Sequence, residues 1–246
     1  MITRPWGDKS RQLVDPWTLF GKDSRIVPLF NPIISSSEVV SVGGGVPSVS
    51  ENIFGSLMLL SQESDEPIKM LINCPGGSAQ AGFTIIQAME HLKAKGVEIW
   101  TIDMCQAASM AGIILFMGTP GRRYILNDAM AHAHEIQIKG LGGGSTDVEE
   151  IQEHTKHLKG IMERLCAQNT KIPEYYVKLM EIEVSPKQMS DLNYRKKLVR
   201  EFVKQERILT CDKALEAGMV DHIIMPGDPI LDEIFKRTPL VKEEKK

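Results

Sequence analysis

The chain of 246 residues is 42% hydrophobic and 25% charged, and its formal net charge is −3. This length and apolar content suffice for one sizeable core or two small ones, and they fit a single compact enzyme domain. The lysine and arginine residues are dispersed along the chain, so we expect no strong affinity for polyanions and no nucleic-acid partner.

Cysteine usage and hydropathy bear on the compartment. The four cysteines, Cys74, Cys105, Cys166 and Cys211, form no C-x-x-C pair, which argues against a zinc site and favours a reducing compartment. No apolar run reaches the roughly 18 residues that a membrane-spanning helix needs. The first eight residues lack the apolar core of a signal peptide. We therefore expect a cytoplasmic protein without membrane contact.

The first half of the chain alternates between predicted strands and helices. Residues 1–24 are predicted to form an irregular arm, and residues 35–50 are ambiguous between a loop and regular structure. The predicted strands cover residues 25–30, 67–74 and 97–104, and the predicted helices cover 51–62, 79–95 and 107–117. The helix over 107–117 is almost entirely apolar, which predicts that it is buried.

The second half continues the alternation. Strands are predicted over residues 123–126 and 130–138, followed by a glycine-rich flexible link over 140–145 and a long charged helix over 147–170. One stripe of that helix carries the side chains of Val148, Ile151, His154, Leu158, Ile161 and Leu165. Repeated strand–helix units predict an α/β fold whose parallel strands are joined by right-handed crossovers.

Three separated segments carry candidate chemistry. Ser109 stands among small residues where the apolar helix begins, the pair Gly76-Gly77 follows a buried strand, and His132 and His134 lie on a later strand. A hydroxyl at a helix start, a glycine turn and a histidine are the parts of a serine peptidase. The alternative for Ser109 is that small residues only let a buried helix pack against a sheet. Either histidine could instead be a core residue bonded to the backbone.

These segments resemble the proteolytic subunit of the Clp protease, a chambered serine peptidase. The matching stretches are Pro75-Gly76-Gly77, Gln106-Ala107-Ala108-Ser109-Met110 and Asp128-x-x-x-x-x-His134, where the family has an Asn-x-x-x-Met-x-His segment. A fourth match begins at Arg207-Ile208-Leu209-Thr210 and runs to Asp221. The resemblance covers roughly residues 25 to 225, and the four matches in order are specific.

The resemblance implies a crotonase-like ββα superhelix with the long helix as a projecting handle. It implies an arm over residues 1–24, a peptidase domain over 25–226 and a tail over 227–246. His134 lies 25 residues after Ser109 (134 − 109), in the register of the family's base, so we assign Ser109 as nucleophile and His134 as base. His132 is then structural. Backbone amides of Gly77 and Met110 are the expected oxyanion donors.

The catalytic acid departs from the family pattern. Aligning backward from Arg207 puts Glu206 where the family usually has aspartate, and Asp191 and Asp212 are the alternatives. A glutamate can also orient an imidazole and stabilise the imidazolium, and a surface carboxylate is the other interpretation of Glu206. Gln205 occupies a position where the family often has an arginine that pairs between rings.

Two other features depart from the family. Cys105 replaces a common glycine, and we expect it to be a small buried residue rather than a second nucleophile. The stretch over 171–200 is longer than the family pattern and is interpreted as an inserted lid or a contact surface.

The function implied is an ATP-dependent Clp-type serine endopeptidase that acts through an acyl-enzyme without metal or organic cofactor. The resemblance also implies stacked heptameric rings, alone or mixed with paralogues, and an AAA+ unfoldase that feeds polypeptide substrates. Nothing in the chain resembles a P-loop. The alternatives are a non-catalytic ring subunit, a phage capsid-maturation peptidase or membrane-associated relative with the same triad, and a crotonase acting on acyl-thioesters, against which Ser109 argues.

Overall fold

The computed structural model describes residues 24–34, 49–136 and 145–236. Residues 140–144 of the predicted link over 140–145, most of the predicted arm and of the ambiguous segment over 35–50, and the end of the tail lie outside these ranges. The strands are β1 (Ile26–Leu29), β2 (Ile68–Cys74), β3 (Ile99–Ala108), β4 (Arg123–Leu126), β5 (Met130–Ala133), β6 (Arg207–Thr210) and β7 (His222–Ile224). The helices are α1 (Val49–Glu63), α2 (Ala79–Ala94), α3 (Met110–Phe116), α4 (Ser145–Asn169), α5 (Ile172–Leu179), α6 (Pro186–Ser190), α7 (Leu192–Val203), α8 (Cys211–Glu216) and α9 (Ile230–Ile234).

The strands form one sheet in the order β1-β2-β3-β4-β7, and all four neighbouring pairs are parallel. Strand β5 adds to β3 in parallel, and β6 pairs with β5 in the antiparallel direction. A largely parallel sheet must be covered on both faces, and its central strands β2 and β3 are accordingly buried along most of their length. The α/β fold class predicted from the sequence is confirmed.

Two apolar clusters cover the faces of the sheet. The larger joins α1, α2 and α3 to β2 and β3, and all seven residues of α3 are buried as its composition predicts. The smaller lies under α9, whose Ile234 is fully buried. The Nζ atom of Lys69, itself buried in β2, donates to the Glu233 carbonyl oxygen of α9 at 3.1 Å. Residues just after the predicted domain end therefore pack onto the sheet.

Strand β3 is longer than predicted, and the helix after it begins later. Residues 107 and 108 were expected in the helix, but they extend β3 because residues 106–108 pair with β5. Such a pairing needs extended backbone. Strand β5 ends at Ala133 instead of continuing, so His134 lies immediately after the strand and not within it.

Helix α4 buries a stripe that shares Leu165 with the predicted one and otherwise differs from it, while the side chain of Val148 lies outside the described part of the chain. The buried side chains are those of Thr155, Met162, Glu163, Leu165, Cys166 and Ala167, whereas Ile151, Leu158 and Ile161 are half-buried and His154 is exposed. The shift arises because α7 packs against α4, where the nearly buried Glu163 receives the Arg200 guanidinium through two bonds of 2.7 and 2.8 Å. In the ranges described, no helix is long and apolar enough to span a membrane.

The long stretch after α4 consists of helices α5, α6 and α7. The rings of Tyr175 and Tyr176 in α5 meet Phe202 of α7 edge-on, with centroids 6.0 and 6.2 Å apart. The guanidinium of Arg207 stands 5.1 Å from the centroid of the Phe202 ring. This stretch is therefore packed into the main core next to Arg207, the first residue of β6.

Candidate active site

Ser109 is the residue that joins β3 to α3. It is the N-cap of α3 and has φ 56° and ψ −124°, a backbone conformation that is strained for a residue with a Cβ atom. Its backbone amide donates to the His132 carbonyl oxygen at 3.0 Å, which ties this turn to β5. The side chain makes no capping bond to the helix, unlike most N-cap serines. Its hydroxyl is thus presented at the start of a buried helix.

The glycine turn after β2 packs directly on Ser109. A Cβ atom on Gly76 would lie 2.5 Å from the Ala108 carbonyl oxygen and 2.6 Å from the Ser109 Cβ, so only glycine fits there. Gly77 has φ 147°, and a Cβ on it would lie 2.2 Å from the Ile33 carbonyl oxygen. Both glycines are required by close backbone approach rather than by the turn alone.

Two amides at this contact remain available as donors. The bridge between Ile33 and the glycine turn uses the Gly76 carbonyl and the Ser78 amide, and leaves out the Gly77 amide. Met110 is the first residue of α3, where an amide has no intrahelical acceptor. Across the described ranges, neither amide donates a backbone hydrogen bond. A pair of such donors beside a hydroxyl is the arrangement that stabilises an oxyanion.

The thiol of Cys74 supports the turn from beneath. Its Sγ atom accepts from the Gly76 amide at 3.3 Å and lies 3.2 Å from the Asn31 carbonyl oxygen, to which the thiol donates. Burial raises the pKa of Cys74 to about 11, so the group stays a neutral thiol. It therefore serves as a packing and hydrogen-bonding residue.

The two candidate histidines lie side by side. The ring centroids of His132, in β5, and His134, just after the strand ends, are 5.1 Å apart. The His134 Nδ1 atom is 2.6 Å from the Glu135 carbonyl oxygen. A carbonyl can only accept, so Nδ1 carries the proton and Nε2 of a neutral ring is the basic nitrogen. Burial and the neighbouring charge of His134 lower the pKa of His132, while Glu206 opposes that shift.

Glu206 is exposed and has φ 42° just before β6. Because Ala133 pairs with Arg207 in the antiparallel ladder, Glu206 is brought to the end of β5 that leads into His134. Its charge acts on His132, whose pKa it raises against the larger effect of burial. The neighbouring Gln205 side chain accepts from the Arg207 guanidinium within the same chain.

The two alternative acids occupy other places. The Asp191 carboxylate caps α7, where it accepts from the amides of Asn193 at 2.7 Å and Tyr194 at 3.3 Å. Asp212 is exposed in the first turn of α8, beyond Thr210, which pairs with Met130 at the opposite end of β5 from His134. The fold thus brings together Ser109, both histidines and Glu206, and it holds Asp191 in a helix cap.

Sequence reasoning missed two features around the site. The amide of Glu135 donates to the Val203 carbonyl oxygen of α7 at 3.1 Å, and its carboxylate receives Lys159 of α4, so the residue after the candidate base is anchored twice. Asp103 lies fully buried in β3, and the sequence signal was an aspartate within an apolar strand. The expectation that Cys105 is buried is wrong, because its thiol is exposed on the bulged part of β3.

The chain is similar to known proteins over most of its length. Residues 21–227 match the family model described as Clp protease. The ATP-dependent Clp protease proteolytic subunit 2 of Frankia casuarinae is 28% identical over 188 residues, 76% of this chain and 75% of that protein. Subunit 1 of Streptomyces coelicolor is 36% identical over 50% of this chain and 54% of its own length. The proteolytic subunit of Streptococcus pneumoniae is 29% identical over 61% of this chain and 76% of its own length. Since the family model spans most of its length, the chain belongs to the Clp protease family.

Proposed function

We propose that this protein is a serine endopeptidase that hydrolyses polypeptides through an acyl-enzyme on Ser109. The observation that carries the proposal is the contact of the glycine turn with Ser109 and Met110. This contact places the Ser109 hydroxyl beside the amides of Gly77 and Met110, which donate no backbone hydrogen bond within the described ranges. Family membership supports the same reaction class. An oxyanion donor of this kind lowers the barrier by about 3 kcal/mol.

The proposed reaction begins when the Ser109 hydroxyl oxygen attacks the scissile carbonyl carbon. The hydroxyl proton passes to Nε2 of His134, the basic nitrogen of the tautomer that the Glu135 carbonyl selects. The amides of Gly77 and Met110 bind the oxyanion, and His134 then returns the proton to the leaving amine. Water attacks the ester in the second half of the cycle, with the same residues in the same roles.

Glu206 is the proposed acid that stabilises the His134 imidazolium. Its support is the register of β6 against β5, together with the helix-capping role of Asp191 and the remote position of Asp212. His132 is proposed to be structural, since its carbonyl anchors the Ser109 amide and burial disfavours its charged form.

We propose that the active form is an assembly of stacked rings, with sevenfold symmetry and an AAA+ unfoldase as partner. Family membership supports this organisation, and α4 is the proposed handle between rings. The partner supplies ATP hydrolysis, and paralogous chains are candidate members of mixed rings.

The experiment that tests this function is active-site labelling. A fluorophosphonate should modify Ser109 alone among the serines, as read by mass spectrometry of the digested protein. Ser109→Ala should abolish both labelling and peptide hydrolysis while the circular dichroism spectrum stays unchanged. Undiminished hydrolysis by the Ser109→Ala variant would refute the serine-peptidase assignment.

A second candidate function is a non-catalytic ring subunit. The observation that favours it is the environment of Glu206, which is exposed and whose charge acts on His132. A non-catalytic subunit would assemble into rings yet remain unlabelled, alone and with its unfoldase. The same labelling experiment on the assembled protein therefore separates the two functions.

A further inference from the structure

Asp103 occupies the point at which β3 changes partners. Up to Asp103 the strand pairs with β4, where Asp103 faces Ile125, and from Gln106 onward it pairs with β5. On its other side Ile72 faces Asp103, whereas Cys74 faces Ala107. One residue of β2 therefore stands opposite three of β3, which makes a bulge over residues 104–106.

The Asp103 side chain reaches into this bulge. It is fully buried, and its Oδ1 atom accepts from the Cys105 amide at 3.2 Å. A backbone hydrogen bond from Ala107 also favours its ionised form. Oδ2 is buried and bonds none of the described residues. A bulge leaves amides that the strand ladder cannot satisfy, and the Asp103 Oδ1 atom accepts from one of them, the Cys105 amide.

The bulge leads straight into the candidate nucleophile. Ser109 follows Asp103 by six residues (109 − 103), and its strained backbone lies against Gly76 with no room for a Cβ between them. A change in the path of residues 104–108 would therefore move the Ser109 hydroxyl and the Met110 amide together. Strained backbone of this kind persists only where its surroundings determine it.

From these contacts we infer that Asp103 is a positioning residue for Ser109, which holds the bulge of β3 so that hydroxyl and oxyanion donors keep their mutual geometry. This inference rests on the proposed function and deepens it. The essential group is the Oδ1 acceptor, so asparagine, which keeps an acceptor in the same place, should replace aspartate when the carboxyl is protonated. Alanine, which has no acceptor at this position, should not hold the bulge in place.

The Asp103 carboxyl also makes the geometry of the bulge sensitive to pH. Burial raises the pKa of Asp103 to about 7, against the opposing hydrogen bonds from the backbone of Cys105 and Ala107. The cross-strand residues that flank it, Ile72 and Ile125, carry no charge, and Thr101 on the same face donates to the Leu115 carbonyl oxygen. In the wild type, the labelling rate of Ser109 and the amide exchange of the bulge should therefore change as Asp103 ionises near neutral pH. The Asp103→Asn variant should lack this change.

The test uses the full-length assembled protein and two measurements. The first is the rate constant of fluorophosphonate labelling at Ser109. The second is amide hydrogen exchange of residues 104–109. The variants are Asp103→Ala, Asp103→Asn and, as a control, Thr170→Val, which removes a buried hydroxyl that bonds Cys166 and Ile172 far from the bulge.

We expect Asp103→Ala to slow labelling by about 10²-fold, the effect of a displacement near 1 Å, and to speed exchange of the bulge. Asp103→Asn should behave like the wild type at about pH 6 and diverge from it above about pH 7, where only aspartate ionises. Thr170→Val should lower stability without changing either measurement. If Asp103→Ala does not fold, the comparison of the wild type with Asp103→Asn at about pH 6 still decides, because the acceptor role requires the two proteins to match there.

The outcomes distinguish this inference from the proposed function. If the wild type is not labelled but Asp103→Ala speeds amide exchange of residues 104–109, the peptidase proposal fails. The inference that Asp103 fixes the bulge then stands. If exchange and labelling of Asp103→Ala match the wild type, or if Asp103→Asn differs from the wild type at about pH 6, the inference on Asp103 is overturned.

Discussion

The imidazole rings of His132 and His134 lie 5.1 Å apart, and the Nδ1 atom of His134 bonds the Glu135 carbonyl oxygen at 2.6 Å. We expect His134→Ala to lower kcat by several orders of magnitude, because it removes the general base. His132→Ala should lower the melting temperature and leave kcat within an order of magnitude. Steady-state hydrolysis of a fluorogenic peptide, with thermal unfolding of each variant, measures both effects.

The control for this pair is His222→Ala, which removes an exposed histidine of β7 that stacks on Tyr124 on another part of the sheet. It should leave kcat unchanged. A severe loss of kcat in His132→Ala with an active His134→Ala would show that the wrong histidine was assigned as base.

Glu206→Gln should lower kcat severely with little effect on KM. An orienting carboxylate keeps the productive tautomer and stabilises the imidazolium, and its loss cost about 10⁴-fold in a well-studied protease. In this chain the Glu135 carbonyl already selects the tautomer, so we expect a smaller loss that falls mainly on imidazolium stabilisation. Glu206→Asp should keep partial activity, because the shorter side chain sits on a backbone placed for glutamate.

The matched controls are Asp191→Asn and Asp212→Asn under the same conditions. Asp191→Asn should affect only the stability of α7, by about 1 kcal/mol or less, because asparagine is also a good N-cap. Near-normal activity of Glu206→Gln beside a collapse in either aspartate variant would mean that the triad closes through that aspartate.

Local patterns predicted the parallel sheet and a buried helix next to Ser109, because each depends on a short apolar run or on a run of small residues, but they began that helix at residue 107 and not at Met110. The extension of β3 through Ala108 was not predictable in this way. Alanines suit helix and strand alike, and their pairing with β5 is set by residues more than twenty positions later. The anchoring of Glu135 by Val203 and Lys159 likewise joins segments that are distant in sequence. Asp103 stood out in the sequence as an aspartate within an apolar strand. Its role as a hydrogen-bond acceptor could not be predicted, because it depends on the bulge in β3.

Gly76→Ala should abolish Ser109 labelling, whereas Gly96→Ala should not. The two glycines have almost the same φ, 93° and 90°, so both substitutions place alanine in left-handed backbone at a cost of roughly 1–2 kcal/mol. A Cβ on Gly96 meets nothing within 4 Å, while one on Gly76 collides with Ala108 and Ser109. Labelling rates and melting temperatures of both variants therefore separate backbone strain from displacement of the nucleophile. Equal labelling of the two would contradict the proposed geometry.

The protein should sediment as a species far larger than a dimer at micromolar concentration. The half-buried apolar residues of α4, Ile151, Leu158 and Ile161, lie next to its buried stripe and would be covered by a partner ring. Leu158→Glu should lower the sedimentation coefficient in analytical ultracentrifugation, and Lys156→Glu, which adds the same carboxylate at an exposed position, should do so less. A monomeric wild type would contradict the proposed ring assembly and leave only the proposal of a peptidase without a chamber.

Stability should depend on pH through Asp103. Its folded-state pKa of about 7 lies above the value of about 3.9 for an unfolded aspartate, so the folded protein holds this proton over a range where the unfolded chain has lost it. The contribution is fully present below about pH 4 and is lost as the pH rises through about 7, with a slope of up to about 1.4 kcal/mol per pH unit. Asparagine does not titrate, so the unfolding free energy of the wild type minus that of Asp103→Asn should fall over this interval and then level off. Urea unfolding of both proteins at matched concentration, repeated across the interval, measures this difference while the other titrating groups cancel. A difference that stays flat with pH would show that the Asp103 carboxyl titrates as an ordinary, solvated one.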